Sequence, residues 1–235
     1  MAKSATSVST ISATPAIHPM PFTRIELVIM SIVDDALAVL LAKRAGAPHK
    51  GKWALPGGVV RIELDSDLDD AVQSVARERL GKALPFVRQL KAVGGKARDS
   101  RAPWALSIAY RALIPVAEFD PQAGKRIEAI RWCPIDEAAA DTKLAFDHAE
   151  LIGAAANTTR NEIEKLELPF GYLPEAFTLG ELQSCCEVIL GRPLDKSSFR
   201  RRLDERELVE PIAGEMRTGA FRPAQLYMKR QDTHD

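Results

Sequence analysis

The stretch Trp53-Ala54-Leu55-Pro56-Gly57-Gly58, with Ser74-Val75-Ala76-Arg77-Glu78-Arg79-Leu80-Gly81 downstream of it, decides the fold. Alone, Leu55-Pro56-Gly57-Gly58 is only a tight turn, because proline and paired glycines punctuate any chain in that way. Its neighbours give it meaning. Residues 67–80 place Leu68, Ala71, Val72, Val75 and Ala76 at helical spacing, with Asp69 and Asp70 in the first turn. Gly81 stands where a C-cap belongs. Upstream, the Val/Ile/Leu-rich runs 25–33 and 36–42 are split by Asp34-Asp35, a hairpin signal. Downstream, 87–93, 104–115 and 127–133 read as strands, and Pro134-Ile135-Asp136-Glu137 opens a short alanine-rich helix. Strand pair, glycine loop, helix and then more sheet predict an α/β/α sandwich.

The loop and helix resemble the Nudix box, G-x5-E-x7-R-E-U-x-E-E-x-G-U. In that family, glutamates on one helix face hold a divalent metal that activates attack on a diphosphate; hard oxygen ligands suit Mg²⁺. Aligned on Gly81, only Glu78 survives of those glutamates. Val75 and Arg79 stand at two of the other positions, and an arginine repels a cation. The loop is about two residues longer than the pattern and carries Glu63, Asp65, Asp67, Asp69 and Asp70. Aspartates at a helix start more often cap it and face its dipole than bind metal. No catalytic residue and no metal ligand is therefore assigned, and the expected role is that of a pocket that senses a nucleotide without cleaving it.

Composition sets the outer bounds. With 235 residues, 46% hydrophobic and 27% charged, the chain suits two small folded domains. Lys+Arg and Asp+Glu are equal at 32 each, which argues against a general polyanion binder and leaves room for a local basic surface. Three cysteines, two adjacent at 185 and 186, make neither a disulfide framework nor a metal knuckle. Residues 1–22 read as a disordered tail: Ser, Thr, Ala and Pro dominate its first twenty positions, without the apolar core of a signal peptide. No apolar run is long enough to span a bilayer, so a soluble cytoplasmic protein without membrane partners is expected.

From about residue 147 the character changes. Residues 148–165 can form one long helix, broken by Leu168-Pro169-Phe170-Gly171. Two helices (178–190 and 195–206) and two strands (208–210 and 225–229) follow, and this is winged-helix arithmetic. The domains expected are thus 23–165 with its linker helix, and 166–235. In the second of the two helices, Asp195 is a sound N-cap, and Phe199 and Leu203 point to the core. Lys196, Ser197, Ser198, Arg200, Arg201 and Arg202 then supply a DNA-reading face. Arg217-Thr218-Gly219-Ala220-Phe221-Arg222 suits a basic wing on the phosphate backbone, and Thr178 heads the preceding helix. A solvated basic helix would share part of this pattern; helix, basic helix and basic wing in that order favour DNA.

With both halves placed, the chain resembles the Nudix-related transcriptional regulator (NrtR) family over roughly residues 23–230. The matching segments are Gly51-Lys52-Trp53-Ala54-Leu55-Pro56-Gly57-Gly58, Arg98-Asp99-Ser100-Arg101, Ser107-Ile108-Ala109-Tyr110, Ala145-Phe146-Asp147-His148, residues 173–182 and 191–195, Phe199-Arg200-Arg201-Arg202 and Arg222-Pro223-Ala224. The resemblance implies a homodimeric repressor of NAD biosynthesis or salvage genes. It would release double-stranded operator DNA when ADP-ribose, NAD or ATP fills the Nudix-like pocket as effector, with no cofactor required. Arg44, Arg61, Arg98 and Arg101 are the expected donors to the diphosphate, since guanidinium forks match phosphate oxygens. Gly57 and Gly58 would shape the pocket. Trp53 either stacks on a base or anchors the core. Glu78 is expected as a loop–helix hydrogen-bond acceptor. Asp147 and His148 open the linker helix, with His148 a cap or hydrogen-bond partner rather than a base. The competing reading is an active Nudix hydrolase cleaving ADP-ribose or a related diphosphate; a protein-binding adaptor is the third.

Overall fold

The computed structural model describes residues 20–96, 98–218 and 223–230. Most of the expected tail thus lies outside the described residues; the chain is extended from Phe22. The central strand, β1 (Phe22–Val33), is buried almost throughout because it is covered on both faces. Ile25, Leu27 and Ile29 belong to one apolar cluster, Val28 and Met30 to the other, which is why the sequence reads as a continuous apolar run rather than an alternation. Its hairpin with β2 (Ala36–Arg44) turns at Asp34 and Asp35, both in the left-handed region with φ of 49° and 57°.

Two short strands interrupt the glycine loop: β3 (Trp53–Ala54) pairs with β2, and β4 (Gly57–Val59) pairs with the start of β1. Then come α1 (Leu68–Leu80), β5 (Arg88–Gly95), β6 (Ala105–Leu113), β7 (Ile127–Pro134), α2 (Ile135–Ala140) and α3 (His148–Glu164). The mixed sheet runs β3-β2-β1-β6-β5, with β6 parallel to β1 and β7 on the outer side of β2. Helix α1 buries Ala71, Val72, Val75 and Ala76 against the Ile25 face, and α2 and α3 cover the opposite face. Asp67 caps α1 by accepting from Asp70 N, and Gly81 ends it at φ 70°. The α/β/α sandwich is as read from the pattern.

After a 3-10 turn (Phe170–Tyr172) come β8 (Phe177–Thr178), α4 (Leu179–Leu190), α5 (Lys196–Glu205), β9 (Val209–Arg217) and β10 (Ala224–Lys229). Strand β10 lies between β8 and β9, so helix, helix and wing pack as a winged helix. The expected domain boundary falls at 165/166, but the core does not break there. Leu151, Ile152, Ala155 and Ile163 of α3 share one apolar cluster with Val39 and Leu41 of the sheet and with Leu182, Ile189, Phe199 and Leu203 of the winged helix. Helix α3 is therefore a shared wall rather than a free linker. Cys185 and Cys186 are buried in that core, and burial pushes the Cys185 thiol up to about 12; no helix among the described residues is long and apolar enough to cross a membrane.

Candidate functional site

A cleft of about 350 Å³ opens where β1, β4 and the C-terminus of α1 meet the loop after β2. Arg24, Arg44, Arg79, Arg101 and Arg126 line it together with Leu55, Pro56 and Val59, and no carboxylate is among the lining residues. Two of the arginines are braced from behind. Arg24 Nε donates to buried Glu26 at 2.8 Å, and Arg101 makes a two-pronged bond to Asp99, Nε–Oδ1 at 2.8 Å and Nη2–Oδ2 at 2.5 Å. The Asp99 carboxyl is held down at about 2, chiefly by those hydrogen bonds. Phe146 sits under Arg24 and Arg44, whose guanidinium carbons lie 5.6 and 5.1 Å from its ring centre. Burial pushes Arg44 down from its ordinary value, and repulsion from Arg24 and Arg101 adds to the effect. Such packing of like charge favours an anionic occupant.

The loop that brings Arg126 here is tied to the end of α1. Gln122 N, Gly124 N and Lys125 N donate to Leu80, Arg79 and Glu78 carbonyls, satisfying the helix's last acceptors. Gly124 has to be glycine: a Cβ there would lie 2.4 Å from Glu78 O. Gly57 approaches as closely, with a Cβ position 2.0 Å from Glu26 Oε2, so β4 can lie against β1 only without a side chain. Gly58 faces Val75, whose Cγ2 would be 2.7 Å from an added Cβ.

Of the arginines expected to meet a diphosphate, the structure brings Arg44 and Arg101 to the cleft and leaves two out. Arg61 instead faces Asp65 at 3.7 Å and Glu78 at 3.4 Å, and Arg98 is spent on an ion pair with Asp147. The reason is local charge: each lies next to a carboxylate that the fold half-buries. Among the described residues the Glu78 side chain accepts no loop hydrogen bond; it sits among Arg61, Arg79 and Lys125 as their counter-ion. Trp53 is stacked under Arg131, 4.4 Å from its ring centre, away from the cleft. Gly57 lines the cleft and Gly58 packs beneath it. Arg24, Arg79 and Arg126 were missed.

His148 is buried, and its Nδ1 accepts from Leu55 N at 2.8 Å, so the proton of the neutral ring sits on Nε2, 3.7 Å from Glu26 Oε2. Burial pushes its pKa down to about 4, with Glu26 partly opposing. A folded-state value below the unfolded one of about 6.5 means that the unfolded chain binds the proton first as pH falls. Stability is thus flat above about pH 6.5 and lost between there and about pH 4. Between pH 7.5 and 5 the loss is about 2 kcal/mol. Urea denaturation at a series of pH values measures it. In His148→Asn, whose amide oxygen can still take the Leu55 N–H, most of that slope should vanish.

A Nudix metal centre does not fit these residues. Val75 is buried against Gly58, and Arg79 donates through Nε to Gly57 O at 2.9 Å and through Nη1 to Lys125 O at 2.7 Å. Asp65 takes Arg61 N and Asp67 caps α1. Among the described residues, no three of His, Cys, Asp and Glu come together.

On the winged helix, Asp195 caps α5 by accepting from Ser198 N at 2.7 Å, and Phe199 and Leu203 are buried. Lys196, Ser197, Arg200 and Arg201 are exposed on the outer face, with Ser198 partly covered. Arg202 turns the other way: its Nη2 donates to Glu164 O at the end of α3. Thr178 is occupied as an N-cap in a reciprocal capping box with Glu181, and Arg217 bonds Ala176 O beside it. Thr218 is exposed, whereas Arg222 and the wing tip 219–221 lie outside the described residues.

Comparison with known proteins matches both halves. Residues 23–154 match the NUDIX domain, and residues 169–228 match the NrtR DNA-binding winged helix domain. The chain is 35% identical over 210 residues to the ADPR responsive transcriptional repressor NtrR of Acinetobacter baylyi, covering 89% of this chain and 82% of that one. Its structure is similar to that of Shewanella oneidensis NrtR complexed with a 27mer DNA, with a TM-score of 0.72 at 32% identity over 88% of this chain and 93% of the other. The NUDIX domain of the same Shewanella protein complexed with ADP ribose matches 63% of this chain and 94% of its own, with a TM-score of 0.55 at 28% identity. With a NUDIX domain, an NrtR winged helix and such a repressor aligned over most of its length, the chain belongs to the NrtR family of Nudix-related transcriptional regulators.

Proposed function

We propose that the chain is a cytoplasmic, homodimeric repressor of NAD biosynthesis or salvage genes. It binds a near-palindromic operator through α5 and releases it when ADP-ribose occupies the arginine cleft, which does not hydrolyse it. The observation that carries this reading is the cleft itself: five arginines around a diphosphate-sized space, with Val75 and Arg79 where hydrolysis needs carboxylates. Beside it, and sharing Val59, a second groove is apolar and lined by Phe22, Ile62, Leu68 and Trp104. A cationic end next to an apolar one suits a nucleoside diphosphate better than a sugar phosphate or inorganic phosphate. Exposed Met20, Ile62, Leu64, Leu68 and Trp104 supply the apolar surface from which a dimer can form.

The route from effector to DNA runs along α3. At its start, His148 holds the cleft residue Leu55. At its end, Glu164 takes Arg202 through its carbonyl and Arg192 through its carboxylate, while Arg160 reaches Ile189 O. A small shift at Leu55 therefore moves a rigid rod bonded to both helices of the winged domain. Separating two recognition helices from successive major grooves needs only a few kcal/mol, roughly 10²-fold in affinity.

The test is a gel shift on promoter fragments from the protein's own gene and from NAD-synthesis genes, with ADP-ribose, NAD and ATP titrated separately. Specific binding released by ADP-ribose, which is recovered intact, is the expected result. Mg²⁺-dependent formation of AMP at an enzymatic rate, without specific DNA binding, would replace this reading with that of a hydrolase.

A further inference from the structure

We propose that Arg79 takes over the charge-neutralising task of the divalent cation, so that the effector's diphosphate is held by a built-in cation and needs no metal. The inference rests on the reading of the cleft as a nucleoside-diphosphate site and says how that site manages charge.

Three observations converge. Arg79 occupies a sequence position at which the Nudix pattern has a metal-binding glutamate, near the end of α1. Its side chain is anchored from behind, Nε on Gly57 O and Nη1 on Lys125 O, leaving Nη2 without a hydrogen-bond partner among the described residues. It is only 11% exposed yet lines the cleft, so its free edge faces the space where an anion would lie. An anchored fork of this kind loses little freedom on binding phosphate oxygens.

Charge supports the same assignment. The cleft's cationic lining, with Arg24, Arg44, Arg101 and Arg126 beside Arg79, repels Mg²⁺ rather than inviting it. The nearby acids are committed: Glu26 to Arg24, Asp99 to Arg101, and Glu78 to Arg61, Arg79 and Lys125. Burial lowers the Arg79 pKa, with Glu78 opposing and Arg126, Arg24 and Arg61 adding to the decrease. A dianionic diphosphate relieves that repulsion, whereas a diphosphate already carrying Mg²⁺ relieves less of it. Metal should therefore leave effector binding unchanged or weaken it.

Calorimetric titration of the full chain with ADP-ribose, in EDTA and then in millimolar Mg²⁺, reads this directly. Equal or tighter binding in EDTA is expected, and a requirement for Mg²⁺ would overturn the inference without any variant being made. Arg79→Gln, which keeps a donor for Gly57 O but loses the charge, should weaken ADP-ribose at least tenfold in EDTA. Arg79→Glu should weaken it further and regain part of the affinity when Mg²⁺ is added. Unaltered affinity in both variants, with operator binding showing that they are folded, would also overturn it. Inorganic diphosphate serves as the second probe. Arg79-dependent binding of diphosphate by a protein that ignores ADP-ribose would support the built-in cation and sink only the choice of effector; failure to bind either would sink both.

Discussion

Replacing Arg200 and Arg201 together by alanine should weaken operator binding by roughly 10²-fold or more, with ADP-ribose binding unchanged. The size follows from two charge-assisted contacts to phosphates or base edges, each about 1.5–3 kcal/mol. Loss of two phosphate contacts would also flatten the dependence of log affinity on log salt by about 1.8. Stability should hardly move, because both side chains are exposed and the sole ion pair involved among the described residues, Arg201 with Glu205 at 3.6 Å, lies in solvent. The argument turns on the direction each arginine of α5 takes. Phe199 and Leu203 fix the buried face, which sends Lys196, Ser197, Arg200 and Arg201 outward and Arg202 back onto Glu164. Arg202 thus belongs to the junction with α3, although the sequence places it in the same basic triplet. Gel shifts at a range of salt concentrations measure both quantities. A double variant that binds operator like the parent would place the DNA-reading surface elsewhere.

What the sequence disclosed, and what it hid, divides along a physical line. Periodicity is local, so the strand runs of the sandwich, the caps at Asp67, Gly81 and Asp195, and the order of the winged helix were legible, whereas β8 went unread and β9 was read only at its start, 208–210. Strands β3 and β4 have two and three residues, too few to show a period, and β4 exists because glycines at 57 and 58 let the loop lie against β1 and α1. The site was half legible. Of the expected donors, Arg44 and Arg101 line the cleft, the first flagged by its basic neighbour and the second by a matching motif. Arg61 and Arg98 were indistinguishable from them until the fold put Asp65, Glu78 and Asp147 within reach. Arg24 sits in an apolar strand and looks out of place there; an arginine alternating with Glu26 on a buried face was a signal that could have been read. Arg126 had none, since its place depends on a loop tied to the last carbonyls of α1. Arg79 was seen as a lost ligand, and the proposal that it meets phosphate rests on its anchors.

Arg44→Ala combined with Arg126→Ala should weaken ADP-ribose by roughly 10²-fold and leave a repressor that lets go only at correspondingly higher effector concentration. Both line the cleft, and neither is braced by a buried carboxylate, unlike Arg24 and Arg101, whose removal would strand Glu26 or Asp99. The variant therefore removes effector donors without leaving a buried charge unpaired. Arg44 gives up one hydrogen bond to Pro48 O, about 1 kcal/mol, and its contact with the Phe146 ring, and relief of its repulsion from Arg24 and Arg101 offsets part of that. Tm should accordingly stay within a few degrees of the parent. Two charge-assisted contacts would be worth about 3–6 kcal/mol if fully desolvated; Arg126 is exposed, and solvent screening brings the expectation towards the lower end. Operator affinity without effector should be unchanged, because α5 is untouched, while the ADP-ribose concentration for half-release should rise by the factor lost in binding. That equality is the discriminating outcome. Linkage requires weaker effector binding to the released form to appear as a proportionate shift in release. If half-release stayed at the parental concentration, the effector would be acting somewhere other than the arginine cleft.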